Sequence, residues 1–226
     1  MKSERKASII VGALFIITTF TFAIGDGIIQ EMTMTENFLK NIPDDLPRFI
    51  IAITFQLICG LGVIGIAVVL YPIFKKFSER IAIWYVGIRV MECTIIAISG
   101  LNLLTLLELG KNDVKENIAD IEYFQILESS LSASYHAAFV ILALVLSFGA
   151  FAFYYLLFKS KLIPRFIPVW SILAVLSMMT GLFIDMLGYK PNLLLYIPMG
   201  ANELFLGVWL IVRGFNQKCF TAKAES

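Results

Sequence analysis

The sequence predicts an all-α integral membrane protein: one bundle of six transmembrane helices, with no soluble domain. Three features carry that expectation. Of its 226 residues 59% are apolar and only 15% are charged, with a mean hydropathy of +0.84. An ordinary soluble domain is about 45–50% apolar and about 25% charged, and a chain of this size has no interior large enough to hide the excess from water. The apolar residues gather into six runs, each able to cross the roughly 30 Å of hydrocarbon that about 20 residues span as a helix. Finally, the basic residues crowd into alternate connections. A cytosolic globule and a disordered or fibrous chain are both excluded.

The six runs lie at residues 7–29, 49–74, 81–107, 133–158, 164–187 and 193–212. The first has a basic start and ends near Ala23-Ile24-Gly25, which resembles a small-x-small cleavage site. Its apolar core exceeds the usual 7–15 residues of a signal peptide, so it reads as a retained first helix. Tyr71-Pro72 closes the second run, and the stretch from Leu162 to Pro168 opens the fifth; proline suits a first helical turn, where its missing N–H costs nothing. These two basic turns share a loose Tyr…Phe-Lys…Arg pattern, which aromatic-bordered turns produce without any duplication. Pro43-Asp44-Asp45-Leu46-Pro47 is a turn before the second run. In residues 110–132, Asn112-Asp113 followed by Glu116 resembles a capping signature. The apolar spacing Ile118, Ile121, Tyr123/Phe124, Leu127, Leu131 then predicts an amphipathic helix that lies at the outer surface or lengthens the fourth span. Its acidic face reads as solvated, since no calcium-loop spacing accompanies it.

Orientation follows from the lysines and arginines near span ends. Lys2, Arg5, Lys6, Lys75, Lys76, Arg80, Lys159, Lys161, Arg165, Arg213, Lys218 and Lys223 share one side, twelve in all, against Lys40, Arg48, Lys111, Lys115 and Lys190 on the other. The expected topology therefore has both termini in the cytoplasm. The formal net charge of +1 is then a cancellation: a basic inner face, an acidic outer face, and an interior where Arg89 stands against four carboxylates.

Several chemistries drop out. Gly60-Leu61-Gly62-Val63-Ile64-Gly65 matches G-x-G-x-x-G, but a dinucleotide fingerprint needs a strand-to-helix turn, whereas membrane helices use glycines for close packing. His136 is the single histidine, which forbids a bis-histidine haem in one subunit and argues against a zinc hydrolase. Ser132 and Ser134 beside it are ordinary small polar residues. Cys59, Cys93 and Cys219 form no CxxC motif and no outer pair, so no disulfide is expected. No cofactor, metal or nucleic-acid partner is expected; the lipid bilayer is.

The informative groups are the ionisable residues inside spans, which are costly there and face a partner or a wet cavity. At 1.5 Å per residue from the nearest inner basic anchor, Arg89 lies about 14 Å deep, Glu92 about 18 Å and Glu203 about 15 Å, all near the midplane. Arg89 and Glu92 are spaced i,i+3, on one helical face. One guanidinium against two carboxylates leaves a buried charge uncompensated, which is strongly disfavoured. One carboxylate should therefore hold a proton, or a cation or cationic solute should complete the site; otherwise the trio is an ion-paired strut between spans three and six. Gln56, Asn102 and Asn202 are candidate hydrogen-bonding partners. A second group, Asp26, His136 and Asp185, falls at the outer interface, about 30–35 Å deep; an enzyme reading requires these three to converge.

Three stretches resemble a bacterial multi-pass membrane family catalogued as a domain of unknown function, DUF4386. They are Leu70-Tyr71-Pro72 through Lys75-Lys76 to Tyr85-Val86-Gly87-Ile88-Arg89-Val90-Met91-Glu92, then Lys159 to Phe166, then Pro198…Asn202-Glu203-Leu204…Gly207-Val208-Trp209-Leu210…Gly214-Phe215. The resemblance implies a multi-pass protein of a bacterial plasma membrane and no defined activity. Its recurrent R-x-x-E and later Glu fall on Arg89, Glu92 and Glu203. The sequence thus leads to a small polytopic protein with a polar core: a transporter-like carrier of a small solute, cation or proton, or a sensor or accessory subunit. A structural or partner-binding protein, whose trio only fixes helix packing, is the alternative.

Overall fold

A computed structural model describes residues 2–33, 45–116 and 121–220, with backbone alone at 2 and 109–124. Every regular element in it is helical. Helix α1 spans Lys2–Thr33, α2 Leu46–Phe74, α3 Glu79–Glu116, α4 Ile121–Ser160, α5 Phe166–Met186 and α6 Ile197–Val212, the last entered through a 3-10 turn at Leu193–Leu195. Six spans are long and apolar enough to cross a membrane. Their outer surface suits lipid: Leu61 is 67% exposed, Leu101 63% and Leu173 60%, apolar area that water would penalise at about 25 cal/mol per Å².

Each helix packs chiefly on its neighbours in sequence, and α6 returns to α1, so the bundle is a closed ring of antiparallel helices. Glycines set the closest approaches, as expected where helices meet without a hydrophobic drive between them. A Cβ on Gly12 would sit 2.5 Å from the Gly207 carbonyl oxygen, and one on Gly207 2.9 Å from the Gly12 oxygen, so α1 and α6 touch backbone to backbone. The G-x-G-x-x-G run lies mid-helix in α2 and packs on both sides: Gly60 faces Cys93 of α3, while Gly62 and Gly65 face Thr18 and Leu14 of α1. No strand precedes it.

Two larger apolar clusters and a small one of Cys59, Val63 and Ile96 fill the ring. Toward the end that carries the basic turns, Phe153 meets Phe15, Phe74, Tyr85 and Tyr154 at centroid separations of 5.0–5.7 Å, which plugs the axis with stacked and tilted rings. Toward the other end, Ile29, Phe49, Ile53, Leu103 and Leu106 form a smaller cluster.

Boundaries differ from the sequence expectation in two places, and at a third one of its two alternatives holds. The Asn112–Glu116 capping signature does not start a helix: it lies inside α3, which runs on to Glu116, because weak local capping preferences yield to helix propagation from a long apolar stretch. The amphipathic stretch is the lengthened beginning of α4 from Ile121 onward. At the sixth span the helix begins at Ile197 with Pro198 in its first turn, after the 3-10 turn. The turn read at residues 43–47 lies partly outside the described residues.

Candidate functional site

Arg89 and Glu92 project from one face of α3 into the ring. Arg89 Nη1 donates to Glu92 Oε2 at 2.7 Å, and the two side chains are 4% and 2% exposed. The guanidinium carbon also lies 5.1 Å from the centroid of the Tyr85 ring, one helical turn below, a cation–π contact that gains strength out of water. Glu92 fits because Gly149 of α4 is opposite: a Cβ there would stand 3.3 Å from Glu92 Oε1 and 2.6 Å from Ile88 Cγ2. Three polar atoms of this group, Arg89 Nε, Glu92 Oε1 and the Tyr85 hydroxyl, are buried without a hydrogen-bond partner. Such groups normally find one.

Glu203 does not bond to that pair, although it lies close enough for its charge to act on both Arg89 and Glu92. Among the described residues it makes no ion pair with Arg89; its Oε2 lies 2.9 Å from Thr19 Oγ1 across the α1–α6 contact. Thr19 Oγ1 is also 2.8 Å from the Phe15 carbonyl oxygen. The ion pair is thus within α3 and bonds no second helix, and the Glu203 contact ties α6 to α1.

A neutral network lies beside them. Ser171 Oγ, Asn202 and the Tyr154 hydroxyl, from α5, α6 and α4, are joined at 2.7 and 2.8 Å and fully enclosed.

At the opposite end, His136 Nε2 lies 3.0 Å from Asp185 Oδ2, with His136 59% exposed. Asp26 is not part of this pair. The Tyr135 hydroxyl donates to its Oδ1 at 2.8 Å, Gln30 Nε2 donates to its Oδ2 at 2.7 Å, and Gln56 Nε2 reaches the Tyr135 oxygen at 3.2 Å. Adjacent residues, Tyr135 and His136, therefore serve two different carboxylates. Among the described residues no group of three His, Cys, Asp or Glu side chains could hold a metal. Asn102 is half-buried and enters none of these bonds. All three cysteines are free; partial burial raises the pKa of the Cys219 thiol, which makes it a poor thiolate nucleophile.

Thr19, Tyr135, Tyr85 and Tyr154 were not anticipated from the sequence. A threonine or tyrosine within an apolar run carries no distinguishing signal until helix neighbours are known.

The DUF4386 family, described as a domain of unknown function, matches residues 10–214. The chain belongs to that family. As a DUF4386 member it is a multi-pass helical membrane protein, and the matched region takes in α1 from residue 10, the other five helices whole, and both polar clusters of the interior. No curated protein and no solved structure matches it.

Proposed function

We propose that this DUF4386 protein resides in a bacterial plasma membrane with both termini cytoplasmic. There its polar core binds a proton or a small cationic solute, as a carrier or as a sensor or accessory subunit. The observation that carries this is the unfinished hydrogen bonding around Arg89–Glu92. A strut would join two helices and satisfy its own atoms; this pair does neither. Arg89 and Glu92 orient the site, and Glu203 is the carboxylate that exchanges its proton or ligand.

The count of hydroxyl hydrogens supports the same reading. Thr19 has one hydrogen to donate, yet two oxygens lie within reach, Phe15 O and Glu203 Oε2. Both contacts are hydrogen bonds when Thr19 donates to the carbonyl and a protonated Glu203 donates to Thr19. The loss of that proton leaves Glu203 with a competitor for its one donor among the described residues, so the contact responds to occupancy.

The test is infrared difference spectroscopy of the protein in liposomes stepped in pH, run beside flux of a pH-sensitive dye trapped inside. Wild type is expected to give a carboxyl band that changes with pH, and Glu203→Gln to remove it. If Glu203→Gln and Glu92→Gln fold and leave both the band and the dye response as in wild type, the reading fails.

A further inference from the structure

At the basic end of the bundle the α4–α5 turn and the exit from α6 enclose an open cleft of about 520 Å³. Residues 161–165 form one wall, and Trp209 with residues 213–216 the other. The walls are fixed to each other, since the Asn216 N–H donates to the Leu162 carbonyl at 2.8 Å. Leu162, Ile163 and Phe215 are buried beneath, while Lys161, Arg165 and Arg213 remain exposed.

Three cations of that end are engaged elsewhere, whereas Lys161, Arg165 and Arg213 converge on one cleft. Lys75 pairs with Glu79 and Lys76 with Glu4. Arg5 donates to the carbonyls of Leu210, Ile211 and Val212. Among the described residues Lys161, Arg165 and Arg213 have no carboxylate within ion-pair distance; Arg165 lies only against the Phe158 ring, 5.0 Å away. No acidic residue lines the cleft.

Backbone groups point the same way. Arg5 covers the carbonyls of the last turn of α6, which otherwise repel an anion. The 21-residue helix α5 starts at the cleft; its Ile167 N–H donates to the Pro164 carbonyl at 3.1 Å and Pro168 has no N–H, so the helix offers an anion its dipole rather than a cradle of free donors. The Trp209 indole N–H is buried and has no acceptor. Lys161 has φ 55°, a left-handed conformation that usually falls to glycine or asparagine; a lysine kept there at a cost in strain points to a use for its side chain.

We propose that this cleft binds a phosphoryl anion, carried either by an acidic phospholipid headgroup or by free phosphate. Three cations without a counter-charge suit a group bearing about two negative charges, as a phosphate monoester or two neighbouring phosphodiesters does. The cations contact the phosphoryl oxygens, and Trp209 forms part of the wall beside them. The proposal is independent of the polar core.

The full chain in nanodiscs of phosphatidylcholine, with or without cardiolipin, tests it by native mass spectrometry, and inorganic phosphate added to the phosphatidylcholine discs tests the soluble source by thermal midpoint. Each basic residue contributes roughly a factor of five near an anionic surface. Lys161→Gln/Arg165→Gln/Arg213→Gln should therefore lower affinity roughly a hundredfold, while Lys75→Gln/Lys76→Gln on the neighbouring turn leaves it unchanged. Should the triple variant not fold, Arg213→Gln alone should lower affinity roughly fivefold. Retention of cardiolipin without a phosphate effect assigns the lipid, and a raised midpoint with phosphate assigns the soluble anion. No response to either probe, an unaffected triple or single variant, or equal loss in the Lys75/Lys76 control overturns the proposal.

Discussion

Two buried polar clusters share the interior of this bundle and are built on opposite principles. Ser171, Asn202 and Tyr154 come from three helices, carry no charge and bond one another. Arg89, Glu92 and Tyr85 come from one helix, include two charges and leave three atoms without partners. The first is what packing asks of polar groups in a membrane, a bond that joins helices at modest cost. The second costs more and joins nothing, which is the ground for proposing that it binds a ligand.

The sharpest way to break this contrast is Arg89→Leu, which strands Glu92 with no counter-charge. The expected loss is about 3–5 kcal/mol, read as a collapse of monodisperse protein on extraction into detergent. Arg89→Leu/Glu92→Leu should recover most of it, because an apolar pair replaces a buried ion pair at little cost, while the pH-dependent infrared change should be absent from both variants. Recovery of both stability and signal would mean the pair is packing after all.

The neutral cluster should behave in the reverse way. Asn202→Leu leaves Tyr154 without its partner and should lower stability by about 1–3 kcal/mol, measured as a drop in thermal midpoint, with the infrared response to pH intact. A response that disappears with Asn202 would join the two clusters into one site.

Gly149→Ala probes the wall against the ion pair. The new methyl meets Ile88 Cγ2 at 2.6 Å and Glu92 Oε1 at 3.3 Å, so overpacking should cost about 1–2 kcal/mol. The pH-dependent carboxyl band should shift, whereas Gly87→Ala, with open space around its Cβ position, should leave the band in place and cost no stability.

Glu203→Gln should have the smallest structural effect, below about 1 kcal/mol by thermal midpoint, since an amide still bonds Thr19. The pH response should nevertheless vanish.

The two clusters also differ in how far a reader of the sequence can see them. Arg89 and Glu92 were legible because two ionisable residues three apart in an apolar run must share a helical face, whatever the bundle. Their lack of a bond to Glu203 was not legible, because it depends on which helix neighbours which: α6 returns to α1, and Thr19 rather than Arg89 is what Glu203 meets. The six helices were legible from hydropathy alone, but their ends were not. Asn112-Asp113 resembles a helix start by local chemistry, yet it rides inside α3 because propagation outweighs capping. Asp26, His136 and Asp185 share a depth, but Tyr135 takes Asp26 for itself, and a tyrosine near a span end resembles any other member of an interfacial belt.

The α1–α6 contact, with Gly12 against Gly207 and Thr19 against Glu203, has a consequence for assembly. Nearly two hundred residues separate the partners, so the ring cannot close while translation is still delivering the helices between them. Until α6 enters the bilayer, α1 presents a glycine notch and a threonine hydroxyl to lipid. A chain halted before α6 is therefore an open crescent, with neither the Glu203 station nor the α6 wall of the basic cleft.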